Sequence, residues 1–490
     1  MAGGHSAGGA TYGPLTAFMY LFNLVVGTGV LALPSVLIRG GWILGTSFMV
    51  IVAFLSYIGV TFIIETMAAT NAVLYFKRKA LTGHGEVEDS PLLEEEGKNQ
   101  PFMIVLRTEM GQMADVFFNL TGRTLFYAAL IIYLFGDLTI YSTVVPKSMV
   151  LFIYGENAPA YAFDVFLFVF VVIIVPFCFF DLQKTKLLQI STIIIRNAAL
   201  LIMIMLSSRL VIQRGPHTKF IPGASLRALP NLFGGAVYAF MCHHSLPSII
   251  TPIKNKAKVT KLVTTAFVAI LLLYVCLFVS TCLAYGINVR DPITFNFPPE
   301  KYGVVGDFLL LFPVFTLSSS FPIIGITLRN NLDIFASLIS SRLTPAPHLH
   351  PRKLKSEGEG EGEGEAVPDP QAIDRIPARR VALTMAATLP PIVLSVIAEH
   401  SHLQLDSLVG VTGAYAGVAV MSVIPACLVY CSREHLARIH PSVLDHRTVG
   451  QAHPLNIHSS PFKSVWWIIG LLVWALVAWT YNTADKVLTL

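Results

Sequence analysis

The chain has 490 residues and a formal net charge of +5, and 54% of its residues are hydrophobic. Only 13% are charged, whereas soluble domains carry about a quarter, and the mean hydropathy is +0.66. This composition excludes a protein whose main solvent is water. The basic residues form short runs between apolar segments, as in loops of membrane proteins, so no nucleic-acid partner is predicted. The six cysteines are scattered singly, which predicts no metal site, and no cofactor is predicted.

Apolar segments long enough to cross a bilayer, which takes about 20 residues per helix, recur along the chain. Unpaired backbone groups are too costly in hydrocarbon, so these segments should be helices. We predict an all-α polytopic membrane protein with about eleven transmembrane helices in a single transporter domain over residues 1–490. The predicted segments are 13–38, 42–74, 124–153, 162–181, 187–212, 229–252, 260–285, 304–328, 380–398, 405–431 and 464–482.

Lysine and arginine are distributed unequally between alternate loops, and the richer set should be cytosolic. That set includes the runs Lys77–Lys79, Lys254–Lys261 and Arg352–Lys355. The other set is sparser, although residues 213–228 keep three basic residues. The N-terminus is therefore predicted to be cytosolic.

Two cytosolic loops, 76–100 and 342–378, are predicted to be disordered because they contain too few apolar residues to fold. In the first loop, Glu88 precedes Leu92 and Leu93 in an arrangement that resembles the acidic dileucine signal read by clathrin adaptors. This pattern predicts an endolysosomal membrane and a clathrin adaptor as a partner. The alternative is an ordinary acidic linker.

The first helix contains a Gly-Thr-Gly sequence near the middle of the bilayer, followed by Pro34. Unwound backbone at this depth is tolerated where it lines a cavity, and its free N–H groups can bind a carboxylate. The alternative is that these glycines only allow tight helix packing. The predicted substrate-binding residues of this segment are Asn23, Gly27, Thr28, Gly29 and Val30.

The sixth segment contains Gly234-Gly235, then a polar stretch that ends at Pro247, within what should be hydrocarbon. Two interrupted helices therefore lie five helices apart. This offset predicts a five-plus-five inverted repeat with broken helices one and six, and one extra C-terminal helix. The predicted substrate-binding residues here are Phe240, Met241, Cys242, His243 and His244.

Several longer strings carry a family resemblance. They are Arg107–Met113, Phe240–Pro247, Phe312–Thr316 followed by Asn330-Asn331, and Leu408–Gly417. With the first-helix break, they resemble the amino acid/auxin permease branch of the amino acid–polyamine–organocation superfamily, and within it the transmembrane protein 104 family. The resemblance implies an eleven-helix fold and, from the wider family, amino acid transport, without indicating which amino acid.

Charged residues inside predicted membrane helices are expensive unless they are functional or paired. Four qualify: Glu65, Asp137, Lys147 and Arg196. Arg196 lies about nine residues into the fifth segment, or ~14 Å deep at 1.5 Å per residue. It therefore needs an anionic or carbonyl partner. In sodium-independent members of the superfamily, a basic residue on this helix takes the place of the second sodium, and Arg196 is similar in depth.

The eighth segment supports a competing prediction, because it offers the hydroxyls of Thr316, Ser318, Ser319 and Ser320 just before Pro322. Ser320 resembles the hydroxyl residue that sodium-coupled relatives use to bind the ion beside carbonyls, here those near Val25 and Val26. A guanidinium and a sodium ion cannot share one site, since their repulsion amounts to about 4 kcal/mol at 4 Å and an effective dielectric of 20. We favour proton coupling. Candidate proton carriers are Glu65, Asp137, His243 and His244, with ion pairing of Glu65 and capping by the histidines as structural alternatives.

The predicted function is a secondary active transporter, a symporter of amino acids or related small zwitterions. The alternatives are a nutrient-sensing receptor that retains the transporter fold and a sodium-coupled transporter. An enzyme is not predicted, because the neighbouring His244 and Ser245 lack any motif spacing that supports catalysis. A channel is disfavoured by the absence of charge rings and of a filter loop.

Overall fold

The computed structural model describes residues 11–82, 101–179, 186–217, 222–343, 378–439 and 456–489, and these stretches are almost entirely helical. The predicted all-α multi-pass class is confirmed. The helices are α1 (Pro14–Val25), α2 (Gly29–Gly40), α3 (Trp42–Thr82), α4 (Met110–Phe117), α5 (Leu120–Tyr154), α6 (Ala162–Ile174), α7 (Lys186–Arg214), α8 (Leu229–Ala239), α9 (Leu246–Ile250), α10 (Val259–Tyr285), α11 (Pro299–Tyr302), α12 (Val304–Leu343), α13 (Ala378–His400), α14 (Leu405–Thr412), α15 (Ile424–Ile439) and α16 (Val465–Thr489).

Nine of the described helical stretches are long and apolar enough to cross a bilayer. The helices α1 and α2 form a tenth candidate, bent by 56° at the break between them. The predicted sixth segment is divided into α8, a 3-10 turn at His243–Ser245 and α9, each too short to span a bilayer alone. Large apolar side chains such as Leu125 and Phe168 are exposed on outer helices, as expected of a surface that contacts lipid.

Glycines bring two pairs of backbones into direct contact around α8. A Cβ atom added at Gly29 would lie 2.6 Å from Ala239 Cα, so the start of α2 touches the end of α8. A Cβ added at Gly234 would lie 1.8 Å from Gly410 O, and one at Gly413 would lie 2.0 Å from Gly234 O. Only glycine allows so close an approach. The helix α8 is thus held between α2 and the segment that begins with α14.

The residues before α1 are attached to the end of α9. The Tyr12 amide donates to Pro252 O (3.1 Å), and the Lys254 amide donates to Tyr12 O (3.2 Å). The Tyr12 hydroxyl also donates to Ile249 O at 2.5 Å. We call the end of the molecule that carries these contacts the Lys254 face, and the opposite end, where α2 terminates, the Arg39 face.

A buried ion pair joins α3 to α15. Arg433 Nε and Nη2 lie 2.8 and 2.9 Å from the two carboxylate oxygens of Glu65, and the two side chains are 1% and 2% exposed. The Ser460 amide donates to Glu65 Oε2 at 2.8 Å. Glu65 is therefore fully engaged as a structural partner, the alternative that the sequence left open.

Two boundaries differ from those expected from sequence. Residues 76–82 of the predicted disordered loop are helical, because α3 continues through basic and helix-favouring residues to Thr82, directly before Gly83. The ends of the predicted loop 342–378 are also helical, since α12 ends at Leu343 and α13 begins at Ala378. The remaining residues of both loops lie outside the described part of the chain.

The short helix α4 was not predicted from the sequence. Glu109 and Gln112 form a capping box, in which each side chain accepts from the other residue's backbone amide. This reciprocal bonding satisfies backbone amides at the helix N-terminus, although Glu109 replaces the Ser, Thr, Asp or Asn of the usual sequence signature. The apolar segment alone was too short to be recognised as membrane-spanning.

Replacing Glu65 by Gln should lower the thermal stability of the purified protein, because the buried Arg433 guanidinium loses its counter-charge. Removing one partner of a buried pair costs about 3–5 kcal/mol. Thermal unfolding in detergent measures the effect. Glu156→Gln is the matched control, since its pair with Arg290 is exposed and such pairs contribute about 0–1 kcal/mol. Equal losses in both variants would contradict the structural role of Glu65.

Candidate functional site

The break in the first span separates the last carbonyls of α1 from the first amides of α2. The helix α1 ends at Val25, α2 begins at Gly29, and the Thr28 side chain does not cap the amides of α2. The first amides of a helix have no intrahelical acceptor, so those of Gly29 and Val30 are available to an anion. A Cβ added at Gly27 would meet no atom nearer than Val25 O at 3.9 Å. A methyl group would therefore fit at Gly27 without a steric clash.

Arg196 holds the carbonyl side of this break. Its Nη1 atom lies 2.7 Å from Val26 O, 3.0 Å from Asn23 O and 3.3 Å from Asn23 Oδ1. The side chain is buried, being 8% exposed. A guanidinium at the C-terminal end of a helix is stabilised by the orphan carbonyls and by the helix dipole. Arg196 thus binds carbonyls at the end of α1, where the competing prediction of sodium coupling places a sodium ion.

A chain of side-chain hydrogen bonds connects the first span to α5 through α8. The Tyr238 hydroxyl donates to Asp137 Oδ1, and Thr28 Oγ1 lies 2.7 Å from the same hydroxyl oxygen. A tyrosine hydroxyl has one proton, so Thr28 must be the donor in the second bond. Asp137 is 5% exposed, and no described cationic side chain forms an ion pair with it. The site therefore contains a buried carboxyl whose only hydrogen-bond partner shown is neutral.

The second break, between α8 and α9, is attached to other helices through its carbonyls. Ser56 donates to Phe240 O at 2.9 Å. The Tyr274 hydroxyl donates to Ala239 O at 3.0 Å and also lies 3.4 Å from Val25 O. Tyr274 therefore bridges the two broken spans. Met241 and Cys242, the next two residues, are buried in the same stretch.

The two histidines of this break face different neighbours. His243 is fully buried, with Nε2 3.2 Å from Ser56 O. His244 packs against Tyr133, with ring centroids 5.5 Å apart. The Nδ1 atoms of both rings are buried without a hydrogen-bond partner among the described residues. If Nε2 of His243 carries the proton donated to Ser56, its Nδ1 is an unused acceptor.

Other predicted residues are not joined to the two breaks by any contact that the structure shows. Glu65 pairs with Arg433, and Lys147 pairs with Glu399 at 2.7 Å on the Arg39 face. Thr316 donates to Phe312 O, and Ser319 and Ser320 both donate to Thr316 O, each at 2.9 Å. These hydroxyls thus satisfy their own helix, and no hydrogen bond joins them to Val25 or Val26. The sorting residues Glu88, Leu92 and Leu93 lie outside the described residues.

Three contact residues were missed from sequence: Ser56, Tyr238 and Tyr274. Tyr238 could have been found, because it lies two residues before the predicted break, where a polar side chain in hydrocarbon needs a partner. Ser56 and Tyr274 lie in otherwise ordinary apolar helices, and no local pattern distinguishes them. Within the described ranges, no three His, Cys, Asp or Glu side chains are placed to hold a metal ion.

Comparisons with known proteins cover nearly the whole chain. Residues 10–435 match the family described as "Transmembrane amino acid transporter protein". Transmembrane protein 104 from Gallus gallus is 36% identical, covering 100% of this chain and 99% of that protein. The Homo sapiens protein of the same name is 35% identical with the same coverage, and a homolog from Dictyostelium discoideum is 31% identical over 100% of both.

Among solved structures, MhsT in complex with L-phenylalanine is similar at 14% identity and a TM-score of 0.47, covering 98% of this chain and 100% of that one. The match to the relatives confirms the resemblance drawn from the sequence strings. The chain belongs to the transmembrane protein 104 family, within the family of transmembrane amino acid transporter proteins.

Proposed function

We propose that this protein is a secondary active transporter that carries amino acids or related small zwitterions by alternating access, coupled to protons. One observation carries the proposal: two interrupted helices touch at Gly29 and Ala239 and offer uncapped amides beside carbonyls. This arrangement suits a molecule with a carboxylate at one end and an ammonium at the other. Membership of an amino acid transporter family supports the same substrate class.

The proposed topology counts each broken pair as one span. With α1–α2 and α8–α9 as spans one and six, the described helices make eleven, arranged as a five-plus-five inverted repeat and the additional α16. The Lys254 face is then cytosolic, because it carries the Lys-rich loops, and the N-terminus lies on it. We also propose that Glu88, Leu92 and Leu93 form a sorting signal that directs the protein to endolysosomal membranes.

The amides of Thr28, Gly29 and Val30 are proposed to bind the substrate carboxylate at the positive end of the α2 dipole. The ammonium is proposed to bind carbonyls of Phe240 and Met241. The Phe240 carbonyl already accepts from Ser56, but a carbonyl oxygen has two lone pairs and can accept again. Asn23, Cys242, His243 and His244 form the remainder of the proposed pocket.

Arg196 and Asp137 are proposed to set the coupling. Arg196 is a permanent cation on the α1 carbonyls, and a sodium ion there would meet the repulsion of several kcal/mol described above. Asp137 is the proposed proton carrier, because an ionised carboxyl enclosed without a cationic partner is costly and a bound proton removes that cost. His243 and His244 are second candidates, since each keeps an unused Nδ1 atom. Glu65 is no longer a candidate proton carrier, because it forms an ion pair with Arg433.

The test of the function is uptake of a panel of radiolabelled amino acids by purified protein in liposomes, with pH and sodium gradients varied separately. Concentrative uptake of one group of amino acids in a pH gradient is the expected result. Saturable binding without uptake would instead identify the nutrient-sensing receptor.

A cavity of about 640 Å³ on the Arg39 face is the proposed access path from the non-cytosolic side. Its rim carries three ion pairs: Arg39 with Asp406, Lys147 with Glu399, and Arg290 with Glu156. Asp291, in the connection between α10 and α11, also lines this cavity. Its Oδ2 accepts from the Asp406 amide at 2.7 Å, and its buried Oδ1 has no hydrogen-bond partner among the described residues.

Replacing Gly29 by Ala should abolish substrate binding, because the added Cβ would lie 2.6 Å from Ala239 Cα and force the two broken spans apart. Gly470→Ala, in α16 and away from the two breaks, is the matched control, since an added Cβ there would meet no atom within 4 Å. Binding is measured on detergent-purified protein with the amino acid that the uptake panel identifies. Full binding by a folded Gly29→Ala variant would remove the helix contact from the site.

Uptake should follow an imposed pH gradient without sodium and collapse when a protonophore dissipates that gradient.

Arg196→Ala should abolish transport because the α1 carbonyls lose their cation, and Arg196→Lys should retain part of the transport activity by keeping the charge. Asp137→Asn still accepts from Tyr238 but binds no proton, so it should lose gradient-driven uptake and keep substrate exchange. Liposome flux assays distinguish the two activities.

A different result would favour sodium coupling. Uptake that requires sodium at constant pH, together with a higher sodium requirement in Ser320→Ala, is incompatible with the proton mechanism.

Asp307→Asn serves as the control for Asp137→Asn, because Asp307 lies in the first turn of α12, away from the breaks.

The pH dependence of the protein's stability should depend on Asp291. Burial, and then the nearby Asp406 carboxylate, raise the pKa of Asp291 to about 7, against the lowering effects of the Asp406 amide, Arg39 and Lys147. The folded protein therefore holds a proton that the unfolded chain releases near pH 4. Stability from this group is present at acidic pH and is lost as pH rises through about 7.

Thermal unfolding measures this dependence at pH 5 and pH 8, about two units below and about one unit above the Asp291 pKa of about 7. Asp291→Asn should remove its share of the difference, because the amide is neutral at both values. Glu300→Gln, on the exposed helix α11, is the control. The same pH profile in Asp291→Asn as in the parent would count against this role for Asp291.

A further inference from the structure

A chain of three buried side chains runs from α5 through α8 to the break in the first span. The Tyr238 hydroxyl donates to Asp137 Oδ1, and Thr28 Oγ1 lies 2.7 Å from the same hydroxyl oxygen. All three side chains are buried. Because water has little access to the chain, the protonation state of Asp137 determines which group donates in each bond.

With Asp137 ionised, the direction of both hydrogen bonds is fixed. A carboxylate can only accept hydrogen bonds, so Tyr238 donates to Asp137 and its oxygen accepts from Thr28. The single proton of the Thr28 hydroxyl is then committed to this bond. Thr28 can offer only lone pairs to a substrate, and these repel a carboxylate.

A proton on Asp137 reverses the chain. On Oδ1 this proton finds the Tyr238 oxygen as an acceptor already in place, whereas no described residue forms a hydrogen bond with Oδ2. Asp137 then donates to Tyr238, and Tyr238 donates to Thr28. Two hydrogen bonds are kept in either direction, so the reversal costs little hydrogen-bond energy, and it frees the proton of Thr28.

Thr28 is placed to pass this change to the substrate site. It directly precedes α2, and its side chain does not cap the α2 amides. Its own amide is one of the three proposed above to bind the substrate carboxylate. The freed proton of its hydroxyl can donate to the same carboxylate, which adds a charge-assisted hydrogen bond only when Asp137 is protonated.

Two other tyrosines lie near the chain on α5 itself. Tyr133 and Tyr141 are close enough to Asp137 to interact electrostatically with its carboxyl, and Tyr141 is also within hydrogen-bonding reach of Thr28. No hydrogen bond from either tyrosine to Asp137 is shown. Among the described residues, Tyr238 is therefore the side chain that is hydrogen-bonded to both Asp137 and Thr28.

Ionisable groups on other helices lie near these two tyrosines rather than at Asp137. Arg196 from α7 and His244 from the second break each lie near one of them. Within the described ranges, no charged side chain adds an electrostatic effect at Asp137. The hydroxyl of Tyr238 is thus the direct contact through which the protonation of Asp137 reaches the first break.

We propose that Tyr238 is a positioning residue that couples proton binding at Asp137 to substrate binding at Thr28, by reversing the hydrogen bonds between them. This inference rests on the proposed transport function and supplies its coupling step. The proton and the substrate each strengthen the binding of the other, because the coupling between two sites is reciprocal. The central site therefore binds a carboxylate tightly only together with a proton.

The pH dependence of the substrate dissociation constant tests this inference on detergent-purified, full-length protein, with the amino acid that the uptake panel identifies. Binding by the parent should be about tenfold tighter at about pH 5 than at about pH 8, which corresponds to about 1.4 kcal/mol. Tyr238→Phe keeps the ring but interrupts the chain, so the two dissociation constants should become equal. Thr28→Val should have the same effect while keeping the bond between Asp137 and Tyr238, which provides a second variant if the first is poorly folded.

Tyr133→Phe is the matched control, because it removes the hydroxyl of a similarly buried tyrosine that takes no part in the chain. Thr28→Ser should keep the pH dependence of the parent, since serine retains the hydroxyl. Equal affinity of the parent at both pH values, a parent-like pH dependence in folded Tyr238→Phe, or its equal loss in Tyr133→Phe would overturn the inference and leave proton-coupled uptake standing. A parent protein that neither binds nor takes up any amino acid would overturn the proposed function itself, and the inference with it.

Discussion

The absence of water from hydrocarbon is the constraint on which the rest of this structure depends, because every interrupted helix must find partners for its released backbone groups. Side chains from three other helices provide them here. Arg196 from α7 contacts carbonyls at the end of α1, Tyr274 from α10 contacts carbonyls of both broken spans, and Ser56 from α3 contacts Phe240 O. Without these contacts the breaks would be expected to close into continuous helices.

Small residues determine how closely the broken spans approach, and their roles differ from one position to the next. Gly29 is required for backbone contact with Ala239, whereas a Cβ atom added at Gly27 would make only an ordinary van der Waals contact, with Val25 O at 3.9 Å. Gly234 in α8 is matched by Gly410 and Gly413 on the opposing segment. In this Gly-Thr-Gly sequence, the tight packing that was the alternative interpretation is therefore seen at Gly29 and not at Gly27.

Much of the helical plan could be derived from sequence, because the bilayer sets the length of each apolar segment. The depth of Arg196 followed from counting residues, and its need for acceptors followed from burial. Which carbonyls it contacts depends on helix rotation, which apolar segments do not encode, since lipid-facing and protein-facing positions are both hydrophobic. The bond between Asp137 and Tyr238 joins residues 101 apart in the chain. No local pattern indicates such a pair.

Glu65 also shows that local sequence does not reveal contacts between residues far apart in the chain. In sequence it resembles Asp137, since each is a single acid within an apolar helix. Only the contact with Arg433, 368 residues away, distinguishes them. The hydroxyls of Thr316 and Ser320 also matched a sodium-site pattern, but hydroxyls in membrane helices commonly bond the carbonyl one turn earlier, as they do here.

The three hydrogen bonds of Tyr12 to the end of α9 bear on the conformational equilibrium of the molecule. At about 1 kcal/mol each, they would together favour the attached position of this segment by about 3 kcal/mol, so that fewer than about one molecule in a hundred would have it detached at rest. A ligand that opens the Lys254 face must bind the open state more tightly by a similar free energy. Under the proposed transport function, the short segment before α1 thus sets a free-energy threshold that substrate binding has to exceed before the Lys254 face opens.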